Sequence, residues 1–136
     1  MLYSCSVDNT DVITIDYTRL GTIVKGGKVF LVVAGGWDDS IIQSCEVFSE
    51  GKWQHIGDLV KARRSAKILT VMVGGIQKMV IMGGWDINDN YINSVEELVL
   101  NDDVGQSTWQ LSEATMKEAR SGFGAVSVPK SKFCDN

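Results

Sequence analysis

The densest run of oxygen ligands in the chain is Asp86-Ile-Asn88-Asp-Asn90, with Glu97 further on; together they match the first, third, fifth and twelfth positions of an EF-hand calcium loop. The sixth position requires glycine for a sharp turn but holds Tyr91, and the flanks read as strands rather than helices. The run is therefore expected to be a solvated turn with no metal. Gly35-Gly36 and Gly83-Gly84 could in principle cradle a phosphate, but that chemistry needs a helix immediately downstream and none is legible. With the single His55, no Ser-His-Asp set can be drawn, and no pair of carboxylates stands in a setting that would hold a proton. Cys5, Cys45 and Cys134 have neither metal-ligand spacing nor the density of a disulfide framework, so free thiols are expected, a Cys5–Cys134 bridge being the alternative. The residue types thus exclude most catalysis, and neither an enzyme nor a cofactor is expected.

The glycine pairs have a different meaning when their neighbours are included. Gly35-Gly36-Trp37-Asp38, Glu46-Val47-Phe48, Trp53 and Arg64-Ser65 return in order as Gly83-Gly84-Trp85-Asp86, Glu96-Glu97-Leu98, Trp109 and Arg120-Ser121. The glycine pairs are 48 positions apart, and each Trp precedes its Arg by eleven. A period near 50 built of short strands is the mark of a β-propeller blade.

Each unit divides into four strand-like runs. Val29 to Ala34 and Met79 to Met82 are continuous apolar segments ending in Gly-Gly, as strands covered on both faces are. Both follow glycine turns, Gly26-Gly27 and Gly74-Gly75, which makes them second arms of hairpins opened by 21–24 and 68–73. Third strands are expected at 44–48 and 94–100, and fourth strands at 52–56 and 108–111. Ser112 to Arg120 carries a weak helical signal, and 120–128 reads as the first strand of a further unit. Val32, Ala34, Ile81, Trp53 and Trp109 are the expected core, each tryptophan removing roughly 200 Å² from water.

Of 136 residues, 44% are apolar, enough for one modest core, and the whole chain reads as a single domain. Seventeen acidic against thirteen basic residues give a net charge of −4, and the longest basic run is Arg63-Arg64, so nucleic acid and membrane surfaces are not expected partners. Residues 1–10 lack the basic and apolar regions of a secretory signal, and no apolar run has the roughly 20 residues of a membrane span. A cytoplasmic protein is expected.

The apolar strand ending in Gly-Gly, the aromatic-Asp pair, Glu46-Val-Phe48, the tryptophans and the Arg-x-small openings Arg19-Leu-Gly21, Arg64-Ser-Ala66 and Arg120-Ser-Gly122 resemble the kelch repeat family over about 18–128. Glu96-Glu97-Leu98 departs from it in having Leu for an aromatic, and Asp39 and Ile87 stand where a further glycine is usual. The resemblance implies an incomplete propeller of four-stranded antiparallel blades: 19–56, 64–111 and the start of a third at 120–128. Gly35, Gly36, Trp53, Gly83, Gly84 and Trp109 would be its architecture.

Kelch proteins include copper radical oxidases and sugar epimerases, but one His is too few for a copper set and two blades cannot enclose a sugar. The resemblance implies instead a non-catalytic protein-binding module, such as the recognition part of a BTB-kelch ubiquitin-ligase adaptor or an actin-associated protein. An epimerase fragment and a truncated product without activity are the alternatives. In an up-and-down blade the links 37–43, 85–93, 57–64 and 112–120 share one face. That face would gather Arg63, Arg64 and Arg120 with Trp37, Asp38, Trp85, Asp86 and Tyr91. Arg64 and Arg120 are the residues expected to take an acidic peptide segment, or alternatively to pair with a neighbouring blade's carboxylate or carbonyls. Open blade edges also imply self-association.

Overall fold

In a computed structural model that describes residues 19–37 and 39–128, the chain forms two four-stranded antiparallel sheets. The first contains β1 (Arg19–Lys25), β2 (Lys28–Trp37), β3 (Ile41–Ser49) and β4 (Lys52–Ile56), hydrogen-bonded in that order. The second repeats the order with β5 (Lys67–Val73), β6 (Ile76–Met82), β7 (Ser94–Val99) and β8 (Thr108–Thr115), with a 3-10 turn at Val104–Gln106 before β8. The all-β expectation holds, and every expected strand within these two units forms. No helix of the described residues is long and apolar enough to cross a membrane.

Local chemistry sets the hairpins. Gly26 and Gly27, at φ 59° and 74°, give consecutive left-handed residues between β1 and β2, the geometry that matches the twist of paired strands. The registers of the two sheets then coincide: Glu46 lies opposite Val33 and Phe48 opposite Trp53, just as Glu96 lies opposite Ile81 and Leu98 opposite Trp109. Successive side chains of a strand point to opposite faces, so each sheet has one face toward its partner and one away from it.

Between the sheets lies a single apolar layer. Val32, Ala34, Cys45, Val47 and Ile56 of the first sheet meet Ile68, Met79, Ile81, Leu98 and Trp109 of the second, all buried. β1 crosses closest to β5, where a Cβ on Gly21 would stand 2.5 Å from the Ile68 side chain. The rims are tied by Thr70 Oγ1 donating to Thr22 O at 2.6 Å and by Gly57 N donating to Ser107 O at 2.9 Å. Burial pushes the Cys45 thiol up from 9.0 to about 12, with backbone hydrogen bonds from Leu59 and Gly35 opposing the shift. Cys5 and Cys134 lie outside the described residues.

Two expectations are corrected, and a weak signal is resolved. Trp53 is half-buried rather than part of the core, because its face of β4 looks away from the second sheet; it packs instead on Phe48, with ring centroids 5.1 Å apart. Ser112 to Arg120 contains no helix, since Ser112 to Thr115 continue β8 along β7. The stretch 120–128 forms no strand: a strand needs a ladder partner, and no strand of the described residues lies beyond β8 to supply one.

Trp109→Ala should cost about 3–5 kcal/mol in chemical denaturation, the range for emptying an aromatic core site, whereas Trp53→Ala should cost less than half as much. Equal losses would contradict the burial difference. The Cys45 thiol has its own signature. A group whose folded pKa is raised stabilises fully below its unfolded value near 9.0 and loses that contribution as pH rises toward about 12. The denaturation midpoint should therefore fall from pH 9 upward in the wild type, and less steeply in Cys45→Ala.

Candidate functional site

The links leaving β2, β4, β6 and β8 in the direction of the Gly-Gly pairs meet at one end of the two sheets. Arg64 is at their centre. Its backbone exchanges hydrogen bonds with Trp85, N to O at 3.1 Å and O to N at 2.9 Å, which fixes the link between the sheets against the segment after β6. Its guanidinium carbon stands 4.9 Å from the Trp37 ring centre and 5.5 Å from that of Trp85, so the cation lies between the electron-rich faces of two indoles. Nη2 also reaches Asp89 Oδ1 at 3.3 Å. Tyr91 stacks on Trp85 with centroids 4.1 Å apart, and is 54% exposed, as Trp37 is 45% exposed.

Asp86 anchors the loop that carries Asp89 and Tyr91. Its Oδ1 accepts from Asn88 N at 2.8 Å and Asn90 N at 3.0 Å, an Asx turn, and hydrogen bonding led by Asn90 holds the carboxyl below its ordinary value. Glu97, the twelfth residue of the calcium-like pattern, is on β7 and pairs with Lys78 at 2.8 Å. The carboxylate of Asp86 is thus spent on backbone N–H groups, in the solvated turn that the sequence implies. A cleft of about 330 Å³ lined by Arg19, Gly36, Trp37, Arg64 and Ser65 opens beside the arginine.

Arg63, expected on this exposed face, is buried, with 1% of its surface accessible. Its side chain crosses from the first sheet into the second, where Nη1 donates to Gly83 O at 3.0 Å and Ser94 O at 3.1 Å, and Nη2 to Ser94 Oγ at 3.0 Å and Glu96 Oε2 at 2.7 Å. Glu96, equally buried, also accepts from Val60 N at 2.6 Å and Lys61 N at 3.2 Å, so one carboxylate holds both the arginine and the link that bears it. Burial lowers the Arg63 pKa and the Glu96 charge opposes that. The pairing with a neighbouring sheet's carboxylate that was one expectation for Arg64 and Arg120 is thus what Arg63 does.

The reason lies in a one-residue register difference. Gly36 N donates to Arg63 O at 3.1 Å and Gly84 N to Arg120 O at 2.8 Å, so Arg63, not Arg64, is the counterpart of Arg120. Leu59 N likewise donates to Gln43 O as Met116 N does to Asn93 O. The repeated signal is Leu59-x-x-x-Arg63 and Met116-x-x-x-Arg120, which counting from the tryptophans conceals because β8 shifts register between Leu111 and Thr115 and β4 does not. Ser94, Glu96 and Asp89 were not singled out as site residues in the sequence, where Glu96 served only as a repeat marker, although Ser44-x-Glu46 repeats as Ser94-x-Glu96.

The structure therefore brings together Arg64, Trp37, Trp85, Asp86 and Tyr91. Arg120 is not among them: its guanidinium pairs with Glu118 at 3.2 Å, half-exposed. Asp38 lies outside the described residues. His55, on β4, is exposed and 3.1 Å from Glu46. Another cleft, of about 530 Å³, lies at the opposite end, where Lys25 and Lys28 are paired with Asp102 and Glu50. No group of three or more His, Cys, Asp or Glu among the described residues could hold a metal ion. No protein-family model matches the chain, and no curated protein is significantly similar to it.

In a denaturant double-mutant cycle, Arg63→Ala and Glu96→Ala should each cost about 3–5 kcal/mol by leaving a buried charge unpaired, and the double variant far less than their sum. Additive losses would show that the two side chains do not act as a pair.

Proposed function

We propose that the chain is a non-catalytic protein-binding module of kelch type, its sheets two blades of a β-propeller and its binding surface the Arg64–Trp37–Trp85 platform. Two four-stranded antiparallel sheets with one strand order, coincident registers and Gly-Gly at the end of each second strand support the blade reading. The observation that carries the function is the guanidinium of Arg64 held between two indoles at a cleft mouth, with Tyr91 and Trp37 exposed beside it. Arginine and large aromatics dominate protein contacts, because they offer area and directional charge at little ordering cost.

The partner is an acidic peptide segment. The exposed pair of Arg64 with Asp89 is worth about 0–1 kcal/mol, so an incoming carboxylate can replace Asp89 on the same guanidinium while its side chain lies against Trp37. Arg120 and the buried Arg63 have no part in this contact. A platform of this kind suits the recognition part of a larger kelch adaptor, with Arg64 in the role of reader.

On an array of acidic and neutral peptides, Arg64→Ala and Trp37→Ala should each lower binding of the acidic set by about tenfold or more, corresponding to about 1.4 kcal/mol or more, with the thermal melt nearly unchanged. Retained binding with a lowered melt would assign both residues to architecture.

A further inference from the structure

Because the two sheets share one register, each residue of the first has a counterpart in the second. At the hairpin end the counterparts differ in charge. Lys25 lies directly opposite Lys28 where Val73 lies opposite Ile76, and Ser49 lies opposite Lys52 where Val99 lies opposite Thr108. The repeated architecture therefore needs none of the three lysines. Alternation along β2 puts Lys28 on the face of Phe30, Val32 and Ala34, which meets the second sheet. Lys25 and Lys52 share that face, the first opposite Lys28 and the second opposite Ser49, two residues beyond the buried Val47. Like charges directly opposite one another destabilise a ladder, so the Lys25–Lys28 pair carries a cost that the second sheet avoids.

A second departure from the repeat falls in the same place. Glu96 stands thirteen positions before Trp109, whereas Glu46 stands seven before Trp53, and the extra residues lengthen the link between β7 and β8. This link turns back against β4: Gly57 N donates to Ser107 O at 2.9 Å, and a Cβ on Gly105 would stand 2.5 Å from Gln54 Nε2. Between the link and the lysines lies the cleft of about 530 Å³, a size typical of small-molecule sites. Its floor is apolar, since Phe30 and Val47 belong to the buried layer and Val104 packs against it. Gln54 and Asn101 add amide groups to the wall.

The ammonium groups are held at the cleft but weakly neutralised. Lys25 Nζ donates to Leu100 O at 2.8 Å and stands 3.1 Å from Asp102, whose side chain is 98% exposed. Lys28 Nζ is 3.0 Å from Glu50, 71% exposed, and pairs so open to solvent contribute little. Lys52 has no acidic partner among the described residues.

We infer that this cleft binds a small organic anion, an apolar body carrying a phosphate group. The body would lie on Phe30 and Val104. The two negative charges of the phosphate would meet Lys28 and Lys52, with Glu50 released to solvent, and would relieve the opposed lysine pair. Three ammonium groups beside one apolar floor exceed what a single carboxylate would neutralise, which favours the doubly charged head. The site lies at the end of the sheets away from the Arg64 platform, and its failure would leave the peptide-binding proposal standing.

Calorimetric titration of the full chain with 2-naphthyl phosphate, 2-naphthol and inorganic phosphate tests it. The naphthyl phosphate should bind at least about tenfold more tightly than either fragment, because only it meets both the floor and the lysines, and added salt should weaken it. Lys28→Gln and Lys52→Gln should each lower that affinity by about tenfold with the thermal melt nearly unchanged, as expected for loss of one charge-assisted contact. Lys117→Gln, which removes the same charge from the exposed link after β8, should leave the affinity as it is. Absence of naphthyl phosphate binding, equal affinity for either fragment, unchanged affinity in the Lys28 and Lys52 variants, or an equal loss in Lys117→Gln overturns the inference.

Discussion

A buried ion pair that joins two sheets across their apolar layer is the constraint around which this molecule is arranged. A guanidinium and a carboxylate removed from water cost several kcal/mol each unless their remaining hydrogen-bonding capacity is filled. Here it nearly is: Arg63 donates four bonds and Glu96 accepts from the guanidinium and two backbone amides. The donors and acceptors come from the first sheet's exit link, the end of β6 and the start of β7. The pair therefore fixes the distance and angle between the sheets, which the apolar contact of Val32 and Ala34 with Met79 and Ile81 alone would leave free to slide.

The exposed site follows from the same arrangement. Arg63 points inward, so its neighbour Arg64 is turned outward, and the antiparallel bridge to Trp85 sets it against the end of the second sheet. Trp37 and Trp85 follow the two Gly-Gly pairs, whose glycines accept backbone approach too close for a side chain: a Cβ on Gly35 would lie 2.8 Å from Arg63 O, and one on Gly83 2.6 Å from Arg120 O. Both glycines also have positive φ, 62° and 65°. The two tryptophans thus emerge at corresponding places on adjacent sheets, and the arginine of the connecting link falls between them. Scaffold and platform are consequences of one local geometry.

Much of this was legible in the sequence because its cause is local. Apolar runs ended by Gly-Gly, glycine pairs at hairpin turns and alternation in the third strands need nothing beyond neighbouring residues, and Lys52–Ile56 is found with the expected bounds. The arginine register was not legible from spacing, since an irregularity in β8 changes the count from Trp109 without changing the hydrogen-bonded frame. The burial of Arg63 was hidden for a related reason. Two adjacent arginines look alike in sequence, and only the carboxylate brought in from 33 residues away decides which turns inward. Trp53 shows the converse: an equivalent residue, in an equivalent register to Trp109, has a different burial because its face of the first sheet looks away from the second sheet, whereas that of Trp109 looks toward the first. Strand identity is a local property here and burial a relational one.

The arginine that holds the second sheet is carried by the link leaving the first, and the groups that receive it are Gly83, just after β6, and Ser94 and Glu96 on β7. A sheet with its exit link, roughly the 48-residue interval between the glycine pairs, thus carries the arginine that ties it to the sheet that follows. A segment of that length duplicated in the gene would arrive with its own means of attachment to the sheet that follows. No compensating substitution in the neighbours would be needed. Duplication of such a unit would carry the joint with it.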